Sequence, residues 1–198
     1  MIYLDYTANT PADPDVLDAY LAAERRYIAN PNSTHIAGQE ARAEMERVTQ
    51  SIAQHLGVQP AEIIYTSGAS EANNLALKGI AHASRHIGKH IISTQLEHSS
   101  VGASLSALQQ QGYEIDLLDI GRDGRVDLDQ LRELMRDDTI LVAVCAVDSE
   151  LGTIQPIREM AAATRQYADG DFDVRMNDYG REDEIGELAA SFNNMAES

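Results

Sequence analysis

Thr66-Ser67-Gly68-Ala69-Ser70-Glu71 is a short hydroxyl- and glycine-bearing run between a β-prone stretch and a helix-prone one. Such a junction can bind an anion. The first N–H groups of a helix have no intrahelical acceptor, and the helix dipole favours negative charge there. Gly68 would let a ligand approach the backbone, and Ser70 would add a hydroxyl donor. Taken alone, the six residues read first as a capped helix start and second as a phosphate cradle. His98, in Glu97-His98-Ser99-Ser100, follows another β-prone run and precedes another helix. An imidazole there could stack on a flat ring or move a proton. By itself it is one of six histidines and reads as a surface residue. The amine and thiol nucleophiles are Lys78, Lys89 and Cys145. Cys145 lies in the apolar run 141–147, which reads as a buried strand with the cysteine as a small hydrophobe.

These residues need a scaffold, and the hydropathy pattern predicts one. Helices are expected from Asp15 to about Ile28 and over Ala41–Leu56, where Ala41, Met45, Val48, Ile52 and Leu56 recur at helical spacing and Gly57 stops the run. Asn30-Pro31-Asn32-Ser33 is turn chemistry. Glu62–Thr66, His90–Ser93, Tyr113–Leu118 and Thr139–Val147 read as strands, the last as a buried central one. Ser70–Ala83, Val101–Gln110 and Leu128–Met135 read as helices. Strands alternating with helices predict an α/β domain with a mostly parallel sheet. Near Pro156 the pattern changes to two narrow helical stripes, Ile157, Met160, Ala161, Thr164, Ala168 and Ile185, Leu188, Ala189, Phe192, Met195. A connector rich in acids and glycine separates them. A domain boundary is therefore expected at about residue 156.

Composition narrows the class. The 198 residues are 43% hydrophobic, enough for a packed core, and carry a formal charge of −17. That charge argues against nucleic acid and against an anionic membrane surface. One cysteine excludes an internal disulfide framework. No apolar stretch reaches the roughly 20 residues that span a bilayer, and the acidic N-terminus does not resemble a signal peptide. A cytoplasmic protein is expected.

Several motifs, in order and at consistent spacing, carry a resemblance. They are Ile2-Tyr3-Leu4-Asp5-Tyr6 with Thr10-Pro11, Asn30-Pro31-Asn32-Ser33-Thr34-His35, Thr66 to Gly79, Lys89-His90-Ile91-Ile92 with Glu97-His98, and Gly152-Thr153-Ile154-Gln155-Pro156. Over residues 1 to about 157 the chain resembles the N-terminal part of a pyridoxal-phosphate-dependent cysteine desulfurase of the class V aminotransferase family. The resemblance implies a partial three-layer sheet of the pyridoxal-phosphate transferase type and pyridoxal phosphate as a small-molecule cofactor. It places the cofactor phosphate at Ala69 and Ser70, where the family usually has threonine for Ser70, and the stacking histidine at His98. Ser149 stands where the family has an asparagine that reaches the cofactor's ring hydroxyl and the substrate. Here the usual His-Val-Asn-Asn-Glu reads Ala146-Val147-Asp148-Ser149-Glu150, without that amide.

The same resemblance implies that parts are missing. Lys78 and Lys89 match ordinary family positions. The Schiff-base lysine, the aspartate on the pyridine nitrogen, the substrate-carboxylate arginine and the persulfide cysteine all come later in the family, beyond the matching region. Residues 156–198 instead resemble a HAMP module, the parallel helix-connector-helix unit of bacterial receptors. The most specific piece is Asp183-Glu184-Ile185-Gly186, an acidic helix start that suits the dipole. The expectation is a chimera-like chain with no catalytic residue set and no metal site, truncated before the lysine and inactive alone. The alternative is a HAMP-like dimeric signalling or interaction module carried on an α/β domain. A homodimer would follow from the module.

Overall fold

The computed structural model describes residues 2–6 and 8–165. They divide into two compact units between Ile64 and Tyr65.

The first unit holds helix α1 (Pro14–Arg26), helix α2 (Ile36–Leu56) and a 3-10 turn (Pro60–Glu62). The Asp13 carboxylate caps α1 through the Asp15 N–H, and Pro14 takes the first turn, where no N–H is needed. α2 ends at Gly57, whose φ of 68° is the left-handed cap conformation that glycine adopts without a Cβ clash. Of the stripe expected on α2, Ala41 is buried, whereas Met45 and Val48 are exposed. The strand expected at Glu62–Thr66 does not form. Its first residue belongs to the 3-10 turn, and no described strand lies alongside to accept its backbone hydrogen bonds.

The second unit is the α/β layer structure. It contains α3 (Ala69–Ala83), β1 (His90–Thr94), α4 (Ser99–Gln110), β2 (Glu114–Leu118), α5 (Leu128–Leu134), β3 (Thr139–Val142) and α6 (Ile157–Arg165). The sheet is parallel, in the order β2-β1-β3. β1, buried at every position, is the central strand. The hydropathy pattern assigns that place to 139–147, but β3 is half-buried at every residue and stops at Val142. An apolar run fits a central strand and an edge strand equally, and only the pairing order separates them.

Two clusters fill the faces of the sheet. On one face Leu77 and Ala81 of α3 meet Ile91 of β1 and Val101, Leu105 and Leu108 of α4. On the other, Ile92, Leu118, Val126 and Leu131 meet Met160 of α6, with Ile157, Val142 and Val144 packed alongside. Successive residues Ile91 and Ile92 point to opposite faces, as a strand requires. The layers are therefore helix, sheet, helix. The first of the two tail stripes faces the sheet through Ile157 and Met160. The second, Ile185 to Met195, lies outside the described residues.

Candidate functional site

Gly68 is the N-cap of α3, and its carbonyl accepts the first intrahelical bond from the Ala72 N–H at 3.1 Å. The N–H groups of Ala69, Ser70 and Glu71 therefore precede the ladder and have no intrahelical acceptor. Ser70 lies inside the helix start and is not its cap. Among the described residues its hydroxyl makes no hydrogen bond, while its carbonyl accepts the Asn74 amide at 2.8 Å. A Cβ built on Gly68 would meet nothing within 4 Å, and residues 67–71 are exposed. The Glu71 carboxylate accepts the Ser67 N–H at 2.6 Å. That backbone donor, with the Ser67 hydroxyl, holds the Glu71 carboxyl below its ordinary range.

The site continues to His98 through two side chains. Asn73 on α3 donates its amide to Ser100 Oγ at 2.9 Å, and Ser100 Oγ lies 2.8 Å from His98 Nδ1. The Ser100 N–H also points at Nδ1, at 3.2 Å, so that nitrogen acts as the acceptor and the ring proton sits on Nε2. His98 is thus the N-cap of α4, with an exposed ring whose orientation is set by Ser100. The Asn73–Ser100 tie is the contact that sequence reasoning missed. Its one legible sign was the pair of asparagines following the loop.

His98 follows the carboxyl end of β1, beside β3. α4 covers one face of the sheet and α6 the other. Open α/β sheets place ligands outside the carboxyl ends of their strands. Glu97 joins the two strand ends, accepting the Thr94 hydroxyl and the Cys145 N–H with the same oxygen, each at 2.9 Å. Cys145 is exposed, with its thiol 2.8 Å from the Val147 carbonyl. This corrects the buried placement expected from its apolar neighbours, because the chain leaves the sheet at Val142. Ser149 lies in the exposed turn after Asp148, whose carboxylate accepts the Glu150 and Leu151 N–H groups. The Asn73–Ser100 tie links the N-terminal ends of α3 and α4, the helices that begin at Ala69 and just after His98. Among the described residues, Ser149 has no hydrogen bond to either helix. No cluster of three or more His, Cys, Asp or Glu side chains among the described residues is arranged to hold a metal ion.

A three-layer α/β unit with an exposed, uncapped helix start at α3 and an imidazole just past the carboxyl end of β1 defines a class that known proteins share. Residues 2–170 match the family model for aminotransferase class-V, and residues 151–198 match that for the HAMP domain. The chain belongs to the aminotransferase class-V family. It is 42% identical over 167 residues to the mitochondrial cysteine desulfurase of Arabidopsis thaliana, and 40% identical over 166 residues to the cysteine desulfurase IscS of Dictyoglomus turgidum. Each match covers 84% of this chain, which spans 37% and 42% of the length of those two relatives. Among solved structures it superposes on a NifS-like protein with a TM-score of 0.80 at 34% identity, covering 84% of this chain and 46% of that one. It superposes on SspA in complex with cysteine with a TM-score of 0.77 at 33% identity, covering 84% and 48%. Among the described residues no helix is long and apolar enough to cross a membrane.

Proposed function

We propose that residues 1–155 form a partial pyridoxal-phosphate site of the cysteine desulfurase type, continued by a HAMP-like segment at 156–198, and that this chain by itself does not turn over cysteine. The observation that carries the reading is the exposed start of α3, where the N–H groups of Ala69, Ser70 and Glu71 and the Ser70 hydroxyl have no partner among the described residues and a Cβ on Gly68 would meet open space. A phosphate monoester fits this donor set. Ala69 and Ser70 hold the phosphate, His98 stacks on the ring, and Ser149 stands towards the ring hydroxyl. When bound, pyridoxal phosphate supplies an electron sink for sulfur transfer from L-cysteine. Ser149 offers one hydroxyl where the resemblance expects an amide, so it holds the ring and the substrate more weakly.

Neither lysine of the chain reaches this site. Lys78 donates to Asn74 Oδ1 at 2.6 Å along α3. Lys89 lies over the Tyr113 ring, 5.6 Å from its centroid, before β1 and thus at the opposite end of that strand from His98. The proposed binding is therefore non-covalent. Titration with pyridoxal phosphate, followed by visible absorbance, should show saturable binding. Borohydride reduction and peptide mapping should then find no pyridoxyl-lysine. Stoichiometric labelling of one lysine would overturn the non-covalent reading, and absence of saturable binding would overturn the site.

A second reading, the dimeric HAMP-like module, is favoured by the match over 151–198. A parallel four-helix bundle between two copies would take Ile157, Met160, Ile185, Leu188 and Phe192 as its interior. Ile157 and Met160 already belong to a core cluster of the α/β unit, so the bundle would require α6 to leave the sheet. Light scattering on the wild type and on Phe192→Asp separates the readings. A dimer lost on substitution, with the α/β unit still folded, supports the bundle; a monomer in both cases rejects it.

A further inference from the structure

Among the described residues His90 is the largest polar side chain buried without solvent contact, and the proposed site does not use it. It opens β1 with 0% exposure. Its Nε2 lies 3.0 Å from Asp116 Oδ2 on β2, and its Nδ1 lies 2.7 Å from Thr139 Oγ1 on β3. One imidazole therefore ties the central strand to both neighbours. An ionised carboxylate only accepts, so Nε2 donates its proton to Asp116, while Nδ1 and the Thr139 hydroxyl share the second bond. Thr139 Oγ1 also accepts the Arg136 N–H at 2.9 Å, so the hydroxyl bridges the His90 ring and the turn before β3. Both ring nitrogens are thereby hydrogen-bonded, one to each flanking strand.

This contact coincides with a break in the strand pairing. His90 pairs with Thr139, but Ile91 pairs with Leu141, so Ile140 is an extra residue. Packing shows the same thing. Ile140 and Leu141, although consecutive, both pack against the α3–α4 cluster, and from there Val142, Ala143 and Val144 alternate faces. Apolar pattern cannot choose this register, because 140–144 are apolar on both faces of the sheet. A strand with one buried and one polar face is held in register by that contrast. β3 lacks the contrast, so a polar contact must supply the choice, and His90–Thr139 is at the point where the choice is made.

The register has a consequence at the other end of β3. The Ala143 N–H donates to the Ile92 carbonyl at 2.9 Å, and Ser93 Oγ donates to the Ala143 carbonyl at 2.8 Å. Two residues further on, the Cys145 N–H reaches Glu97, the neighbour of His98. A slip of one residue would put Val144 or Ala146 at that carboxylate and turn the following side chains to the other face. We propose that His90 is a positioning residue: bonded to Asp116 on one side and Thr139 on the other, it selects the bulged register of β3 and so delivers the 143–148 loop to Glu97, beside His98. The importance of that loop rests on the reading of this end of the sheet as the cofactor site, but the device can be measured without cofactor.

The test uses the 198-residue chain. Imidazole nitrogen shifts of the wild type should show His90 protonated at Nε2, the atom that faces Asp116; an unprotonated Nε2 overturns the proposal, and no variant has to fold for this measurement. Thr139→Val keeps the β-branched shape and removes the hydroxyl, whereas Thr139→Ser keeps it. Amide exchange at Cys145 should quicken by about tenfold or more in Thr139→Val and stay near wild type in Thr139→Ser. Equal exchange at Cys145 in the two variants would show that His90 acts only locally. Failure of pyridoxal phosphate to bind the wild type would reject the cofactor reading and leave these readouts unaffected.

Discussion

At Gly68 the backbone is extended, with φ 164°, a conformation open to any residue, and the space that a Cβ would occupy is empty. Valine there should leave the fold intact and obstruct only what approaches the N–H groups of Ala69 and Ser70. Gly68→Val should weaken pyridoxal phosphate binding roughly tenfold or more, about 1.4 kcal/mol, with an unchanged thermal midpoint. Equal affinity in an absorbance titration would reduce the loop to a helix start. Glu71 supplies a pH dependence. Its carboxyl titrates below the ordinary value of 4.5 because the Ser67 N–H and hydroxyl stabilise the anion. The stability it contributes is complete above that ordinary value and disappears as pH falls through the lowered one. Amide exchange at Ser67 should therefore quicken only in that acid window, and Glu71→Gln should flatten the response. At this scale the sequence showed Ser70 and His98 by type and spacing. It did not show the tie that orients His98, because Asn73 and Ser100 are 27 residues apart and meet only when α3 lies against α4.

Elements of the second unit are joined by side chains that satisfy backbone groups in loops. Gln155, almost fully buried, accepts the Val126 N–H at 3.0 Å and donates to the Gly124 carbonyl at 2.8 Å. It fastens the 120–126 turn to the segment leading into α6. Gln155→Ala would leave both groups buried without partners and should destabilise the fold by roughly 1–3 kcal/mol in urea unfolding. Asp127 caps α5 through the Asp129 and Gln130 N–H groups, and Asp127→Ala should cost about 0.5–2 kcal/mol. The helices were legible because their caps and periodicity are local signals: the Gly57 stop and the run of α3 lie within a residue of expectation. Strands were less legible. Glu62–Thr66 has the right composition but no described partner, and Thr139–Val147 shortens to four residues because pairing, not propensity, ends a strand.

For the α/β unit as a whole, the two clusters meet through β1, so a truncation there should be felt on a full face. Ile92 is fully buried in the α5–α6 cluster. Ile92→Ala should lower stability by about 2–5 kcal/mol in equilibrium unfolding, well above the effect of truncating half-exposed Leu117 at the edge of the sheet. The overlap of the two family matches over 151–170 falls on α6, whose apolar stripe packs on the α/β core. A stripe of that spacing suits a bundle seam or a sheet-covering helix equally, and the available partner surface decides between them.

Local chemistry by itself determines much of this protein: the helix positions, the helix start after 66–68 and the α/β class follow from residue types at short spacing, and the family from motifs that resemble its own. The order of strands, the half-exposed edge position of β3, the exposure of Cys145 and the contact of Glu97 with the Cys145 N–H came only from the tertiary structure. Each depends on residues dozens of positions apart that compete for the same buried surface and hydrogen-bond partners. Hydrophobic pattern states that a segment wants burial; which neighbour buries it, and in which register, is decided when the polar groups of His90, Thr139 and Asp116 must all be satisfied at once.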